Sequence, residues 1–186
     1  ITGYIGDGIA LDDSDDGTTS DGGVAAVGDI VHEGLRNLEY RGYDSAGVAL
    51  VDASSGLTVT KRSGEVDELT VPEVPDATLG VGHTRWSTHG PPTDANAHPH
   101  TDCVGDVAIV HNGIVENHEA IKRELADHEF TSDTDTEVIP HLIEAELAAD
   151  PDANLLDAVR AVEDRLEGSY AICAVPEDDD RIIVAR

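Results

Sequence analysis

Two apolar segments of this chain run directly into polar, glycine-containing motifs, and this arrangement constrains the fold more than any other feature. The first segment, LGVG, leads into the polar stretch HTRWSTHG at residues 83–90. The second, residues 107–110, is followed by the Asn-Gly pair of HNGIVENHE. Short apolar runs bounded by turn residues are typical of buried strands. We therefore predict two core strands that each end in a loop rich in hydrogen-bond donors, with Asn-Gly breaking the second strand.

The remaining periodicity predicts strands paired by hairpins and helices grouped in pairs. Apolar residues at steps of three and four indicate an amphipathic helix over residues 24–38. The other predicted helices lie near residues 117–128, 136–149 and 154–166. The predicted strands are residues 1–6, which we expect to be buried, and residues 45–51, 57–61, 79–86, 107–110, 170–175 and 181–185. Periodicity alone limits the fold to the α+β class.

Local signals add detail to this outline. Residues 52–56 have the composition of a hairpin turn, and prolines 72 and 75 mark a connector. Thr134 or Asp135 is expected to cap the helix 136–149, with Pro140 in its first turn. Residues 7–23 have too little apolar content to pack, so they are predicted to form a solvated acidic loop.

The charge balance excludes some partners. The chain has 39 Asp plus Glu against 11 Lys plus Arg, a formal net charge of -28. Nucleic acid is not an expected partner, because phosphate binding needs a cationic surface. No apolar run is long enough to span a membrane, and two cysteines do not make a disulfide framework. We expect a cytoplasmic domain from a halophile, in which molar salt screens the repulsion between carboxylates.

The two polar motifs suggest chemistry on an amino acid. The rigid guanidinium fork of Arg85, at a predicted strand end, suits one planar carboxylate. Asn112 and Gly113 place a side-chain amide next to an unhindered backbone N–H, which is an arrangement able to hold an oxyanion. Together these residues indicate amide chemistry on a small amino acid.

Four motifs carry a resemblance to a known family. HTRWSTHG, HNGIVENHE, LEYRGYDSAG and SDTDTEV closely resemble the N-terminal glutaminase domain of glucosamine-6-phosphate synthase, a class II glutamine amidotransferase. The resemblance covers nearly the whole chain, so residues 1–186 are expected to form one such domain. It implies the four-layer α/β/β/α sandwich of the N-terminal nucleophile hydrolases. It also implies hydrolysis of L-glutamine to glutamate and ammonia through a γ-glutamyl thioester, with no cofactor and no metal.

The resemblance assigns roles to residues that bind glutamine or stabilise the reaction. Arg85 is implied to bind the α-carboxylate of glutamine and Asp135 its α-ammonium, although an Asp at this position is also a common helix cap. Asn112 and Gly113 are implied to form the oxyanion hole. The remaining implied site residues form the loop that closes over glutamine, in which the indole also gates the ammonia path: Trp86, Thr88 and His89.

Two further residues are implied to support the site. His98 is expected near it, without acting as a general base. Arg41 is expected to position the start of the chain, although an Arg that pins the preceding helix to the sandwich fits the sequence about as well.

One departure from the family concerns the nucleophile. The family's mature chain starts with a cysteine whose thiol and α-amine work together, whereas this sequence opens with Ile1 at the third family position. We expect that the chain as given lacks the first residues and its C-terminal end, and is inactive. Cys103, in a polar loop, and Cys173, an inert core thiol in an apolar strand, cannot replace the missing residue.

The resemblance also implies partners outside this sequence. They are the C-terminal sugar isomerase domains, which use the released ammonia to aminate fructose-6-phosphate in a full-length homodimer. Two alternatives stay open. One is a glutamine-binding module without turnover, and the other is the glutaminase domain of phosphoribosyl-pyrophosphate amidotransferase.

A metal site is also conceivable from the sequence. Potential zinc ligands crowd into ten residues, but their spacing follows no common zinc pattern. These residues are Asp94, His98, His100 and Cys103. His141 and Glu144 also share one side of a predicted helix, where such a pair is usually part of a solvated face. We therefore expect no metal.

Overall fold

The computed structural model describes residues 1–6, 9–10 and 24–186. Most of the predicted acidic loop 7–23 lies outside these residues. The strands are β1 (Thr2–Ile5), β2 (Ile9–Ala10), β3 (Val24–Ala25), β4 (Ser45–Asp52), β5 (Gly56–Ser63), β6 (Ala77–Arg85), β7 (His100–Thr101), β8 (Val107–Val115), β9 (Gly168–Pro176) and β10 (Ile183–Ala185). The α-helices are α1 (Val27–Leu38), α2 (His118–Glu124), α3 (Val138–Ala149) and α4 (Leu155–Glu163).

The strands form two four-stranded antiparallel sheets and one small ribbon. The first sheet has the order β1-β6-β4-β5 and the second the order β10-β9-β8-β7, while β2 pairs only with β3 in the described chain. The β4–β5 hairpin turns where the sequence predicted it, with Asp52 opposite Gly56. None of the described helices has the length and apolarity needed to cross a membrane.

Alternation along β4 shows why the sheets are stacked. Val48 and Leu50 pack against α1, whereas Ala49 and Val51 pack against the second sheet. Because successive strand residues point to opposite faces, a strand that is apolar at every position must be covered on both sides. The outer cover of the first sheet is α1, and the second sheet is covered by α3 and α4. This confirms the predicted four-layer α/β/β/α sandwich.

The apolar stripe of α1 explains how this helix is held. Val27, Val31 and Leu35 are each at most 2% exposed. Full burial of such side chains stabilises the fold by about 1.5 to 3 kcal/mol each. Val24 of the predicted stripe belongs to β3 instead, so the helix begins three residues later than the stripe suggested.

The prediction that Asn-Gly breaks the second core strand is wrong. Strand β8 continues through Asn112 and Gly113 to Val115, paired with β9 throughout. Gly113 has φ +146°, and a Cβ atom there would lie 2.0 Å from the carbonyl oxygen of Ser169. The glycine therefore permits a close approach of two backbones within the sheet instead of making a turn.

The predicted cap of α3 is also wrong. The N-cap residue is Glu137, with no side-chain capping hydrogen bond. The carboxylate of Asp135 instead accepts a 2.7 Å hydrogen bond from the backbone N–H of Val115 in β8. Pro140 lies in the first turn of α3, as predicted. The carboxylate before α3 thus connects this helix to the strand that carries Asn112.

Two smaller differences concern the sheet edges. Within residues 1–6, 9–10 and 24–186, strand β1 pairs only with β6, and its Ile5 is 53% exposed, so the opening strand is half-buried instead of buried. Strand β7 was not predicted, because two residues are too few to show a period. It adds His100 to the edge of the second sheet.

Candidate functional site

A cavity of about 200 Å³ lies where β6 ends and β8 passes the start of α3. It brings together eight of the nine predicted site residues. These are Arg41, Arg85, Trp86, Thr88, His98, Asn112, Gly113 and Asp135. The ninth, His89, lies beside the cavity, with its Nδ1 atom 3.9 Å from Oδ1 of Asp135. The structure therefore places the predicted residues in one site, and their individual roles stay predictions.

Arg85 is the last residue of β6 and is only 5% exposed. Its guanidinium donates to the carbonyl oxygens of His89, of Gly90 at 3.3 Å and of Pro91 at 3.5 Å. Burial lowers the pKa of Arg85, and the charges of Asp135 and Asp44 partly oppose this. Among the described residues, the partners of this cation are thus backbone carbonyls of the following loop, and no carboxylate pairs with its fork.

Asp135 supplies the opposite charge in the same cavity. This carboxylate is 4% exposed, and its Oδ2 atom is held by the N–H of Val115. Its Oδ1 atom faces His89. A buried cation and a buried anion in one small cavity match the two charged groups of an α-amino acid.

The loop after β6 forms the open side of the cavity. Trp86 is 59% exposed and lies edge-on against Tyr43, with ring centroids 5.4 Å apart. The indole is therefore not a core side chain, in agreement with its predicted place on the loop. Asp44 accepts a 2.7 Å hydrogen bond from the N–H of Ser87, which ties the loop to the segment before β4.

Arg41 ends a single 3-10 turn after α1 and lines the cavity together with Ile1. Arg41 therefore lies close to the first residue of the chain, where the resemblance placed it.

A group of four buried histidines, three of which line the cavity, was missed by sequence reasoning, apart from His98. Their rings lie close together, with centroid distances of 4.4 Å for His83–His98, 5.0 Å for His98–His100 and 6.3 Å for His98–His111. Burial lowers the pKa of His83 to about 3, and it holds the pKa values of His98 and His100 well below the usual range. These imidazoles are neutral at pH 7, so they add no positive charge to the site.

Hydrogen bonds fix three of these rings, among them that of His100, whose Nε2 atom lies 3.0 Å from Oγ1 of Thr134. The N–H of His111 donates to Nδ1 of His98 at 3.3 Å, and the two atoms His111 Nδ1 and Thr136 Oγ1 are 2.7 Å apart. The Nδ1 atom of His83 and the Nε2 atom of His111 are buried without a hydrogen-bond partner in the described part of the chain. The only sequence signal for the group was the alternation of His98 and His100 on either side of Pro99.

The crowded ligand set 94–103 does not form a metal site. Asp94 accepts hydrogen bonds from the N–H and hydroxyl of Ser63, and His98 and His100 belong to the buried group. Cys103 lies elsewhere, against His141, which is 1% exposed. The prediction that His141 belongs to a solvated face is therefore wrong.

Comparison with known proteins identifies the family. A family profile described as glutamine amidotransferase domain matches residues 83–186, which is more than half of the chain. The chain belongs to the glutamine amidotransferase domain family. The matched region begins at the end of β6 and contains most of the cavity residues described above.

Several curated relatives carry the same name, glutamine--fructose-6-phosphate aminotransferase [isomerizing]. The relative from Halobacterium salinarum is 60% identical over the whole of this chain, and that from Streptomyces coelicolor is 47% identical over 99% of it. The relative from Pyrococcus horikoshii is 49% identical over 88% of the chain. The chain spans only 28% of the length of each of these three proteins. A relative from Halobacterium is consistent with the halophilic origin expected from the composition.

Solved structures support the fold. The glutamine phosphoribosylpyrophosphate amidotransferase of B. subtilis, complexed with ADP and GMP, superposes with a TM-score of 0.66 at 28% identity. The alignment covers 81% of this chain and 33% of that one. A second structure, described as the allosteric regulatory enzyme of purine biosynthesis, gives a TM-score of 0.67 at the same identity.

Proposed function

We propose that residues 1–186 form the glutaminase domain of a cytoplasmic glutamine–fructose-6-phosphate aminotransferase. The observation that carries this proposal is the cavity in which Arg85 and Asp135 face one space beside Asn112 and Gly113. The α-carboxylate of an amino acid can pair with Arg85 and its α-ammonium with Asp135. When glutamine is bound in this way, its side-chain amide extends towards strand β8. The relatives' shared name, at 47 to 60% identity, supports the same substrate.

The proposed chemistry begins with binding. Arg85 binds the α-carboxylate of glutamine, and the Oδ1 atom of Asp135 accepts a hydrogen bond from the α-ammonium. The γ-carboxamide then lies beside β8, where the Asn112 side-chain amide and the backbone N–H of Gly113 donate to its carbonyl oxygen as negative charge develops. Trp86, Thr88 and His89 cover the bound substrate, and His98 supports the cavity floor.

The nucleophile in this proposal is the thiol of an N-terminal cysteine two residues ahead of Ile1. Ile1 lines the cavity beside Arg41, so residues joined to its amine adjoin the same space. The α-amine takes the thiol proton, and attack of the thiolate on the carbonyl carbon of the γ-carboxamide gives a tetrahedral intermediate. The amide nitrogen then takes that proton and leaves as ammonia as its bond to carbon breaks, and a γ-glutamyl thioester remains. Water then cleaves the thioester to glutamate and the free thiol.

The fate of ammonia is the second part of the proposal. In the whole protein it passes to C-terminal sugar isomerase domains that aminate fructose-6-phosphate, and the full-length protein is a homodimer. The relatives' name and their greater length support the amination of fructose-6-phosphate by a further part of the protein. The phosphoribosyl-pyrophosphate branch has weaker support, because its structures share only 28% identity with the chain.

The experiment compares the chain as given with one that carries Cys-Gly ahead of Ile1 and a free α-amine, and measures glutamate release. We expect hydrolysis only with Cys-Gly, while a Ser-Gly extension serves as the matched control. Equal glutamate release by the chain as given would refute the thiol mechanism. A folded Cys-Gly form that binds glutamine without hydrolysing it would show a binding module instead.

A further inference from the structure

Four side chains with metal-binding atoms meet on the helical side of the second sheet, away from the cavity described above. Cys103 lies in the loop between β7 and β8, and His128 lies in the turn after α2. His141 and Glu144 lie one helical turn apart on α3. Their four ligand atoms all lie within 4.8 Å of one another. Three separate segments of the chain therefore converge on one point.

Four of the six distances among these atoms are close to those in the coordination shell of a tetrahedral ion. The Sγ atom of Cys103 is 3.5 Å from Nδ1 of His128 and 3.5 Å from Nδ1 of His141. The Oε2 atom of Glu144 is 3.1 Å from the first of these nitrogens and 3.5 Å from the second. Zinc bonds of about 2.0 to 2.3 Å in tetrahedral geometry separate neighbouring ligand atoms by roughly 3.3 to 3.7 Å. Only small movements would bring all four atoms onto one ion.

The surroundings of the cluster favour a bound cation. The side chain of His141 is 2% exposed and those of His128 and Glu144 are about one-fifth exposed, whereas Cys103 reaches solvent. A cavity of about 180 Å³ lies beside Cys103 and His141 and offers a path for entry.

We propose that Cys103, His128, His141 and Glu144 form a zinc-binding site. The mixture of one thiolate, two imidazoles and one carboxylate suits zinc, whereas magnesium and calcium prefer oxygen ligands alone. Four protein ligands fill a tetrahedral ion, which is the arrangement of structural zinc sites. The site does not depend on the proposed glutaminase activity.

The position of the site indicates what the ion does for the fold. Cys103 precedes β8, the strand of Asn112, while His141 and Glu144 lie on the helix that follows Asp135. An ion bound by all three segments joins the loop before β8 to α3. It therefore fixes the position of Asn112 relative to that of Asp135 across the cavity. We therefore expect zinc to raise the melting temperature of the chain.

The test uses the whole chain after treatment with a chelator. Zinc affinity is measured by competition with a chromophoric chelator in concentrated KCl, which screens unspecific binding to the acidic surface. We expect one zinc ion per chain and a melting temperature that rises with zinc. Cobalt in place of zinc should give a thiolate-to-metal charge-transfer band and the strong visible bands of tetrahedral cobalt.

Variants at the cluster and matched controls decide the outcome. Cys103→Ser changes an exposed loop residue, so it leaves the fold intact, and it should remove the charge-transfer band and weaken zinc binding at least about tenfold. Glu144→Gln should also weaken binding. The controls are Glu146→Gln on the same helix and Cys173→Ala at the other thiol, and both should keep the affinity. Absence of stoichiometric zinc binding, or equal affinity in Cys103→Ser and the controls, would overturn the proposal.

Discussion

Replacing Gly113 by alanine should destabilise the fold strongly, because the new methyl group meets backbone atoms. It would lie 2.0 Å from the Ser169 carbonyl oxygen and 2.7 Å from the Tyr170 Cα atom. A non-glycine residue at this positive φ costs about 1 to 3 kcal/mol, and forced overpacking costs about 1 to 3 kcal/mol more. The sum of roughly 2 to 6 kcal/mol is a large part of a typical stability of about 5 to 15 kcal/mol.

The assay is thermal and urea unfolding of the chain beside a matched variant, Gly105→Ala. Gly105 also has a positive φ, +85°, but a Cβ atom there meets nothing within 4 Å. Gly105→Ala should therefore lower the free energy of unfolding only by the conformational cost of the positive φ, about 1 to 2 kcal/mol. At roughly 2 to 4 °C per kcal/mol, Gly113→Ala should melt about 8 to 16 °C below the parent for a loss near the middle of its range. Equal losses in the two variants would refute the claim that β8 runs close to β9 through Gly113.

Three further predictions concern binding, pH and salt. Arg85→Lys should weaken glutamine binding by about 1.5 to 3 kcal/mol, because a point charge cannot reproduce the fork. Calorimetry measures this on the chain as given, and an unchanged Kd would show that Arg85 only supports its loop. The pKa values of His83, His98 and His100 are lowered in the folded chain, so below about pH 6.5 the unfolded chain binds more protons than the folded chain. The free energy of unfolding should therefore fall as the pH decreases from there. Each histidine contributes a slope of up to about 1.4 kcal/mol per pH unit, and urea midpoints that stay constant from pH 7.5 to 5 would contradict this. The net charge of -28 predicts a melting temperature that rises with KCl, and a constant value from about 0.05 M upwards would refute the halophile interpretation.

The elements that the sequence predicted best are those in which packing and local pattern agree. Helix α1 and the β4–β5 hairpin follow their apolar period and turn residues closely. Asn-Gly is typical of a turn, but strand β8 does not end at Asn112. Gly113 instead lets the backbone of β9 approach β8 closely, so the strand continues. Asp135 is likewise a sound helix cap by composition, but the N–H of Val115 competes for its carboxylate. Both errors arise from contacts with distant segments.

The candidate site shows the same limit. The motifs were enough to predict the residues that line the cavity, because the resemblance carried their arrangement. The histidine group and the cluster of Cys103 with His141 were not predictable as groups, since the local spacings around His98 and His141 show only some of their members and the others lie far away in the sequence. Tertiary structure alone brings them within bonding distance.

The two sides of the cavity differ in how they can open. On one side Asn112 and Gly113 lie in β8, which is paired to β9 along its whole length, so their backbone positions change only when the sheet itself separates. On the other side Trp86 lies on a loop outside the sheets and is mostly in solvent. Opening of this loop costs few buried contacts, so it can occur many times while the strand stays closed. Ligand exchange through the loop therefore needs no disturbance of the hydrogen-bond donors, and the frequency of opening can change during evolution without altering their geometry.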